Sequence, residues 1–195
     1  MREAAGLTGR STMFHVTERL LLRPAWPEDA DAIFAGIGER EVVCNLARAP
    51  WPYTLKDARE FLSRPAPDAL PRFAITMPGE HGSDLVGMVG LNCHEDGEND
   101  VVELGYWIAR SHWGQGIATE AVRGILEVAR SIGIRRIEAG HFTDNPASGR
   151  VMRKVGFRAT GERRQQFSLA RGGEAVSLRY VIELEDADDF MPQAA

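Results

Sequence analysis

Apolar positions along this chain recur with two different periods, and the changes of period divide it into elements. Glu18-Arg19-Leu20-Leu21-Leu22-Arg23-Pro24 is an apolar run closed by proline, which predicts a buried strand. Pro27-Glu28-Asp29-Ala30 then opens a helix, with proline early and acids in the first turn, and Ala30, Ile33, Phe34 and Ile37 recur at helical spacing. The stretch 41–52, with Trp51 between two prolines, reads as a loop or broken helix bordering a substrate site. Thr54 caps a second short helix through Phe61 and Leu62, ended by Pro65 and Pro67. Strands follow over 73–76, 85–91 and 101–109, separated by a turn at 78–84 and an acidic hairpin loop at 95–100. A glycine-rich turn then leads into a helix whose apolar stripe is Ile117, Ala121, Val122, Ile125, Leu126, Ala129 and Ile132, stopped by Gly133. A strand over 136–142 comes next, then a helix capped by Asn145 with Pro146 at its first position and Gly156 at its end. Two final strands, 157–169 and 174–184, are joined by Arg171-Gly172-Gly173.

Strands joined by short turns pair antiparallel, whereas strand 101–109, helix 117–132 and strand 136–142 form a parallel crossover unit. The expected class is mixed α/β, a central, mostly antiparallel twisted sheet of about seven strands with helices on both faces. Residues 1–14 are small, polar and aperiodic and read as a flexible N-terminal arm, with Met13 an alternative start. Residues 186–195 form an acidic tail, which leaves a single domain over 15–185.

Composition narrows the function. A chain of 195 residues with 44% hydrophobic and 26% charged positions suits one soluble domain. Lys and Arg number 23 against 28 Asp and Glu, a formal charge of −5, which argues against a nucleic-acid duplex as partner. No apolar run is long enough to span a bilayer, and 1–12 lacks the apolar core of a secretory signal, so no membrane partner and a cytoplasmic setting are expected. Cys44 and Cys93 give neither a disulfide framework nor zinc spacing, and His15, His81, His94, His112 and His141 are scattered, so no metal is expected.

The informative segment is Trp113-Gly114-Gln115-Gly116-Ile117-Ala118-Thr119, between a strand and a helix start. Its glycines allow positive φ and close approach of a ligand, and successive N–H groups at a helix N-terminus make a cradle for a phosphate or pyrophosphate. A tight turn that merely needs glycine is the alternative. No Gly-Lys-Ser/Thr follows, so it is not a Walker loop, and the third glycine of a dinucleotide fingerprint is missing.

Together with Glu103-Leu104-Gly105-Tyr106-Trp107-Ile108 before it, and Asn145-Pro146-Ala147-Ser148 and Lys154-Val155-Gly156-Phe157 after it, this segment resembles the GCN5-related N-acetyltransferases (GNAT). Thr17-Glu18-Arg19-Leu20-Leu21-Leu22-Arg23-Pro24 and Pro27-Glu28-Asp29-Ala30 are similar to the Rim-type ribosomal-protein N-terminal acetyltransferase branch. The resemblance covers roughly 15–185 and implies a single-domain GNAT-like fold. Trp113 stands where the family has Gln or Arg, so a side-chain contact made there is not carried over, whereas backbone contacts are.

The resemblance implies acetyl-CoA as co-substrate and no metal. The backbone of Gly114, Gln115, Gly116, Ile117, Ala118 and Thr119 would hold the coenzyme A pyrophosphate, and Ile108, Ala109 and Arg110 would run beside the pantetheine arm and pair with its amides. The oxyanion donor would be the backbone N–H near Ile108. Arg110 is also readable as a solvated arginine, and Asn145, matching a cofactor-contacting asparagine, also as a plain helix cap. Attack of an amine on a thioester needs a deprotonated amine and a proton for the thiolate. Glu103, on the strand entering the site, is the candidate base or else a rim ion-pair partner. Ser148 is the candidate acid, as its family equivalent is proposed to be, or else a structural first-turn serine.

His141 reads as a satisfied strand-end histidine and Cys93 as a packed thiol. Trp26, Trp51, Tyr53, Trp107 and Trp113 read as core or rim aromatics, some of them available to an acceptor pocket, and Arg163, Arg164 and Arg171 as a solvated hairpin face or a contact for an acidic acceptor. The expected activity is transfer of an acetyl group to a primary amine, on a protein N-terminus or a small molecule, directly in a ternary complex. The alternatives are another acyl donor such as succinyl-CoA, or an acyl-CoA-binding sensor without turnover. A homodimer is compatible with the sequence.

Overall fold

A computed structural model of the protein describes residues 13–64, 70–79, 82–96 and 99–184; of the expected arm over 1–14 only 13 and 14 are among them, and the expected tail over 186–195 lies outside them. The chain forms an eight-stranded sheet from β1 (His15–Val16), β2 (Leu21–Pro24), β3 (Arg72–Gly79), β4 (Gly82–Asp96), β5 (Asn99–Ile108), β6 (Arg136–Phe142), β7 (Arg158–Ser168) and β8 (Gly173–Glu183). The spatial order is β1-β2-β3-β4-β5-β6-β8-β7, antiparallel throughout except for the β5–β6 pair. The sheet has one strand more than the sequence pattern suggests, because β1 is two residues long and too short to leave an alternating signature.

Helices cover both faces of the central strands, whereas β7 at the edge is exposed along most of its length. On one face α4 (Ile117–Ser131) and α5 (Pro146–Lys154) pack Ile117, Ile125 and Met152 against Leu22, Phe73, Ile75, Leu91, Leu104 and Ile108. On the other, α1 (Ala30–Ile37), α2 (Arg40–Val43) and α3 (Leu55–Ser63) set Ala30, Ile33, Ile37, Val42 and Ala58 against Met88 and Trp107. The α1 stripe is narrower than its spacing suggests, with Phe34 39% exposed. The broken segment after α1 contains only the four residues of α2 before it turns into a loop. The Thr54 hydroxyl accepts the Asp57 N–H at 3.2 Å while the Asp57 carboxylate accepts the Thr54 N–H at 2.8 Å, a reciprocal cap that starts α3.

Two polar locks fix the N-terminal elements. Arg23 donates to both oxygens of Asp29, each at 2.7 Å, where both residues are buried. Burial pushes the Asp29 carboxyl up, but the Arg23 and Trp26 hydrogen bonds outweigh it and hold it below the ordinary value. Glu120, in the first turn of α4, accepts from the Thr17 hydroxyl at 2.6 Å and from the Arg19 backbone N–H at 2.7 Å, and pairs with the Arg19 guanidinium. The Thr17 and Arg19 positions of the opening motif thus strap β2 to α4.

The decisive feature is the single parallel pair. β5 and β6 share only the rungs Glu103–Glu138 and Leu104–Ala139. Beyond them β5 stays with β4 as far as Ile108–Gly87, while β6 stays with β8 as far as Phe142–Ser177. The two strands therefore part after Leu104, and main chain from both faces the opening. Among the described residues, no helix is long and apolar enough to cross a membrane.

Candidate active site

A cleft of about 750 Å³ runs through the parting of β5 and β6. Gly105 to Ile108 line one wall, and Gly140 to Phe142 with Asn145 and Ser148 line the other. One end reaches Trp113, Gly114 and the residues 116–119; the other passes under α1–α3 to Tyr53, Phe61 and Arg72.

At the first end the glycine turn takes the conformation that its glycines permit. Gly114 has φ +77° and Gly116, the N-cap of α4, φ +80°. A Cβ added at Gly114 would meet nothing within 4 Å, and one at Gly116 would find Arg19 Nη2 at 3.6 Å, so the turn encloses a concavity rather than a packed corner. No side chain caps α4, which leaves its first-turn N–H groups for another acceptor, at the positive end of a 15-residue helix. The Trp113 indole N–H donates to the Ile108 carbonyl at 2.8 Å and ties the turn to the end of β5. That bond is what the tryptophan does at this position: it braces the turn from inside the chain.

Of the residues that sequence analysis places at the cofactor, Ile108, Gly114, Gly116, Ile117, Ala118, Thr119 and Asn145 line the cleft; Ala109, Arg110 and Gln115 do not. The Ala109 N–H donates to Val86 on β4 at 2.9 Å. Alternation therefore turns the N–H groups of Tyr106 and Ile108 the other way, into the parting. Arg110 reaches Glu39 at 3.2 Å and Glu41 at 3.0 Å, and the Gln115 side chain donates to the Ser111 carbonyl.

The two candidate catalytic side chains lie on opposite faces of the sheet. Glu103 shares its face with Gly105 and Trp107, under α1–α3, while Ser148 stands on the α5 side. The buried Arg179 of β8 donates to Glu103 Oε1 at 2.5 Å and lies 3.4 Å from Glu138 Oε2. One guanidinium thus bridges the two carboxylates that face each other on the first of the two rungs. Arg136 adds a bond to Glu138 at 3.0 Å. Gly140 makes the crossing possible: a Cβ there would fall 2.7 Å from Arg179 Nη1 and 2.8 Å from Ser177 Oγ.

Ser148 sits 2.8 Å from the Tyr106 hydroxyl, and its backbone N–H is accepted by the Asn145 side chain at 3.3 Å, so Asn145 does cap α5. Burial pushes the Tyr106 hydroxyl up to about 12, against a smaller opposite effect of Ser148, so the phenol is neutral at physiological pH. His141 is buried, with Nδ1 2.8 Å from the Phe142 carbonyl and Nε2 3.4 Å from the Tyr180 hydroxyl, a partnered histidine that also lines the cleft. Cys93 is exposed rather than packed. Arg171 leaves the hairpin face to pair with Asp144 at 2.8 Å.

Sequence analysis did not reach Arg179, Tyr106 or the bracing role of Trp113. A glycine in the middle of the β6 pattern, Gly140, was the available signal that something crosses the strand closely there.

With this geometry in place, comparison with known proteins identifies the class. Residues 19–158 match the family model described as an acetyltransferase (GNAT) domain, and the chain belongs to the GNAT acetyltransferase family. It is 31% identical over 160 residues to the uncharacterized N-acetyltransferase YoaA of Bacillus subtilis, covering 76% of this chain and 85% of that one. It is 36% identical over 75 residues to the ribosomal-protein-serine acetyltransferase of Escherichia coli, covering 38% of this chain and 41% of that one. In fold it is similar to Mycobacterium smegmatis RimJ in complex with CoA-disulfide, with TM-score 0.73 at 21% identity, covering 94% of this chain and 91% of that one.

Proposed function

We propose that the protein transfers the acetyl group of acetyl-CoA to a primary amine, on a peptide N-terminus or a small molecule, within a ternary complex. The observation that carries this reading is the parting of β5 and β6, with outward amides at Tyr106 and Ile108 leading to an open glycine cradle at the front of α4. A diphosphate fits the cradle because it meets unpaired N–H groups at a positive helix end. Gly114, Gly116, Ile117, Ala118 and Thr119 line that place, with the Gln115 backbone between them. A pantetheine arm fits the parting as an added strand on β5, paired with Tyr106 and Ile108; the Ala109 amide is committed to β4 and Arg110 to Glu39 and Glu41. Asn145 lines the same wall.

The chemistry follows from the two faces. The amine arrives under α1–α3, on the side of Glu103, and the thioester reaches the parting from the side of α4. The amine nitrogen bonds the acetyl carbon as the carbon–sulfur bond breaks. Glu103, directly or through water, takes the proton the amine loses. A backbone N–H of β5 that faces the parting stabilises the developing oxyanion. Ser148, hydrogen-bonded to Tyr106, passes a proton to the departing thiolate and regains one from solvent as Glu103 releases the proton it took, and the products are an amide and the free thiol.

The test is thiol release from acetyl-CoA across peptides, polyamines and other amines, with mass spectrometry of the products and calorimetry of coenzyme A binding. Gly116→Asp should weaken coenzyme A by tenfold or more, because a carboxylate and a strained φ enter the cradle. Unchanged affinity would remove the phosphate assignment. Tight coenzyme A binding without thiol release for any amine would leave a sensor in place of an enzyme.

A further inference from the structure

Among the described residues, the acceptor end of the cleft holds a cation with no carboxylate paired to it. Arg72 on β3 lines this end and is half-buried. Its guanidinium stacks 4.5 Å from the Phe61 ring, and Nη2 donates to the Arg64 carbonyl at 3.2 Å. Among the described residues no carboxylate pairs with Arg72 or Arg64, and Arg64 also lines the cleft. Burial and the neighbouring Arg64 charge both press the Arg72 guanidinium below its ordinary value. Of the described acids on α3, Asp57 caps the helix through Thr54 and Glu60 lies 3.6 Å from Lys56.

The floor between Arg72 and the parting is set by two glycines. Arg72 stands opposite Gly90 on β4, and Gly90 stands opposite Gly105 on β5, so the three form one row on the face under α1–α3. The neighbouring row sets Asn92 opposite Glu103. Two glycines in register keep that floor low: the Arg72 stem lies over Gly90, with Cγ 3.2 Å from where a Cβ would stand, and the Asn92 amide nitrogen is 3.7 Å from the same place at Gly105, so a shallow trough runs from the strand edge where the acetyl group is presented to the arginine. Two strand spacings make it about 10 Å long.

We propose that this trough selects acceptor amines that carry an anionic group, a carboxylate or phosphate, about 10 Å from the nucleophilic nitrogen, held by Arg72 with Arg64 behind it. The inference rests on the transferase reading and names its substrate class. The amine lies beside Glu103 and the anion crosses Gly105 and Gly90 to reach Arg72. The same chemistry is offered by an acidic side chain near a peptide N-terminus and by a small amino acid with widely separated ends.

The experiment pairs each acid with its amide: peptides with Glu or Gln at the second position, and 6-aminohexanoate with 6-aminohexanamide. Each is assayed with acetyl-CoA for kcat and KM, and is titrated calorimetrically into coenzyme A-saturated protein, a readout independent of turnover. The acid should be preferred about tenfold, mainly through KM and Kd. R72Q should abolish the preference, R64Q reduce it, and R72K keep part of it. Whether the peptide pair or the small pair shows the larger factor identifies the source of the anion. Equal binding of acid and amide, no binding of either acid at millimolar concentration, or a preference intact in R72Q overturns the proposal. An Arg72-dependent preference in calorimetry with no acetylation of any amine sinks the transferase reading instead. Equal acetylation of paired acceptors sinks this one alone.

Discussion

Replacing Gly140 by alanine should cripple the molecule through a side chain on another strand. The added methyl would stand 2.7 Å from Arg179 Nη1 and 2.8 Å from Ser177 Oγ. A guanidinium at the end of a long side chain usually steps aside, but this side chain is only 6% exposed, and it is anchored to carboxylates that are themselves 19% and 18% exposed. It moves only by giving up Glu103, which leaves a desolvated cation and two facing carboxylates, a loss of about 3 kcal/mol by analogy with other broken buried pairs. In a chain of this length each kcal/mol lowers the melting temperature by about 3 °C, so the midpoint should fall by roughly 9 °C. Urea denaturation at neutral pH gives the free energy, and the double variant with Arg179→Met tests the route. If the methyl acts through Arg179, the two changes are strongly non-additive. Acetyl transfer should lose kcat more than coenzyme A affinity, since the cradle lies at the other end of the cleft. A destabilisation below about 0.5 kcal/mol, or full additivity with Arg179→Met, would refute the reasoning.

Asp29 and Glu120 both titrate below their ordinary values in the folded chain, so between the two states the unfolded chain binds more protons. Their stabilisation is complete at neutral pH, declines as pH falls through the ordinary carboxylate range near about 4, and is gone below the folded values. D29N and E120Q should each flatten that acid limb in urea midpoints measured against pH, and an unchanged limb would count against the two locks. Tyr106→Phe should slow turnover several-fold with little change in coenzyme A affinity. Because the Tyr106 hydroxyl is held up at about 12, the ratio of variant to wild-type rate should be constant from pH 7 to 10. Ser148→Ala should do the same, and full activity in either variant returns that pair to a structural role.

Much of the fold is legible because it is written locally. Thr54 before α3, Asn145-Pro146 before α5 and the stripe of α4 each state their element within a few residues, and the crossover from β5 to β6 follows from handedness. The glycine turn is legible for the same reason, since positive φ restricts which residues can stand there. What is not legible depends on register between distant segments. Nothing between residues 99 and 108 announces that pairing with β6 ends at Leu104. Glu103 reads as a candidate base or a rim ion-pair partner, and nothing near it in sequence names Arg179, 76 positions away, as what lies against it. Ala109 reads as part of the cofactor edge, whereas the direction of its amide is set by its register with β4. The trough at Gly90 and Gly105 appears only when strands from two hairpins are laid side by side.

The two-rung junction also says something about how the protein opens. The sheet behaves as two leaves on a narrow spine, β1 to β5 on one side and β6 to β8 on the other, with α4 as the cover that joins them. Only two rungs of main-chain pairing hold the leaves together within the sheet. In the proposed reaction the same seam receives both reactants from opposite faces, so the narrow join between the two leaves is also the line along which a long, thin product would leave.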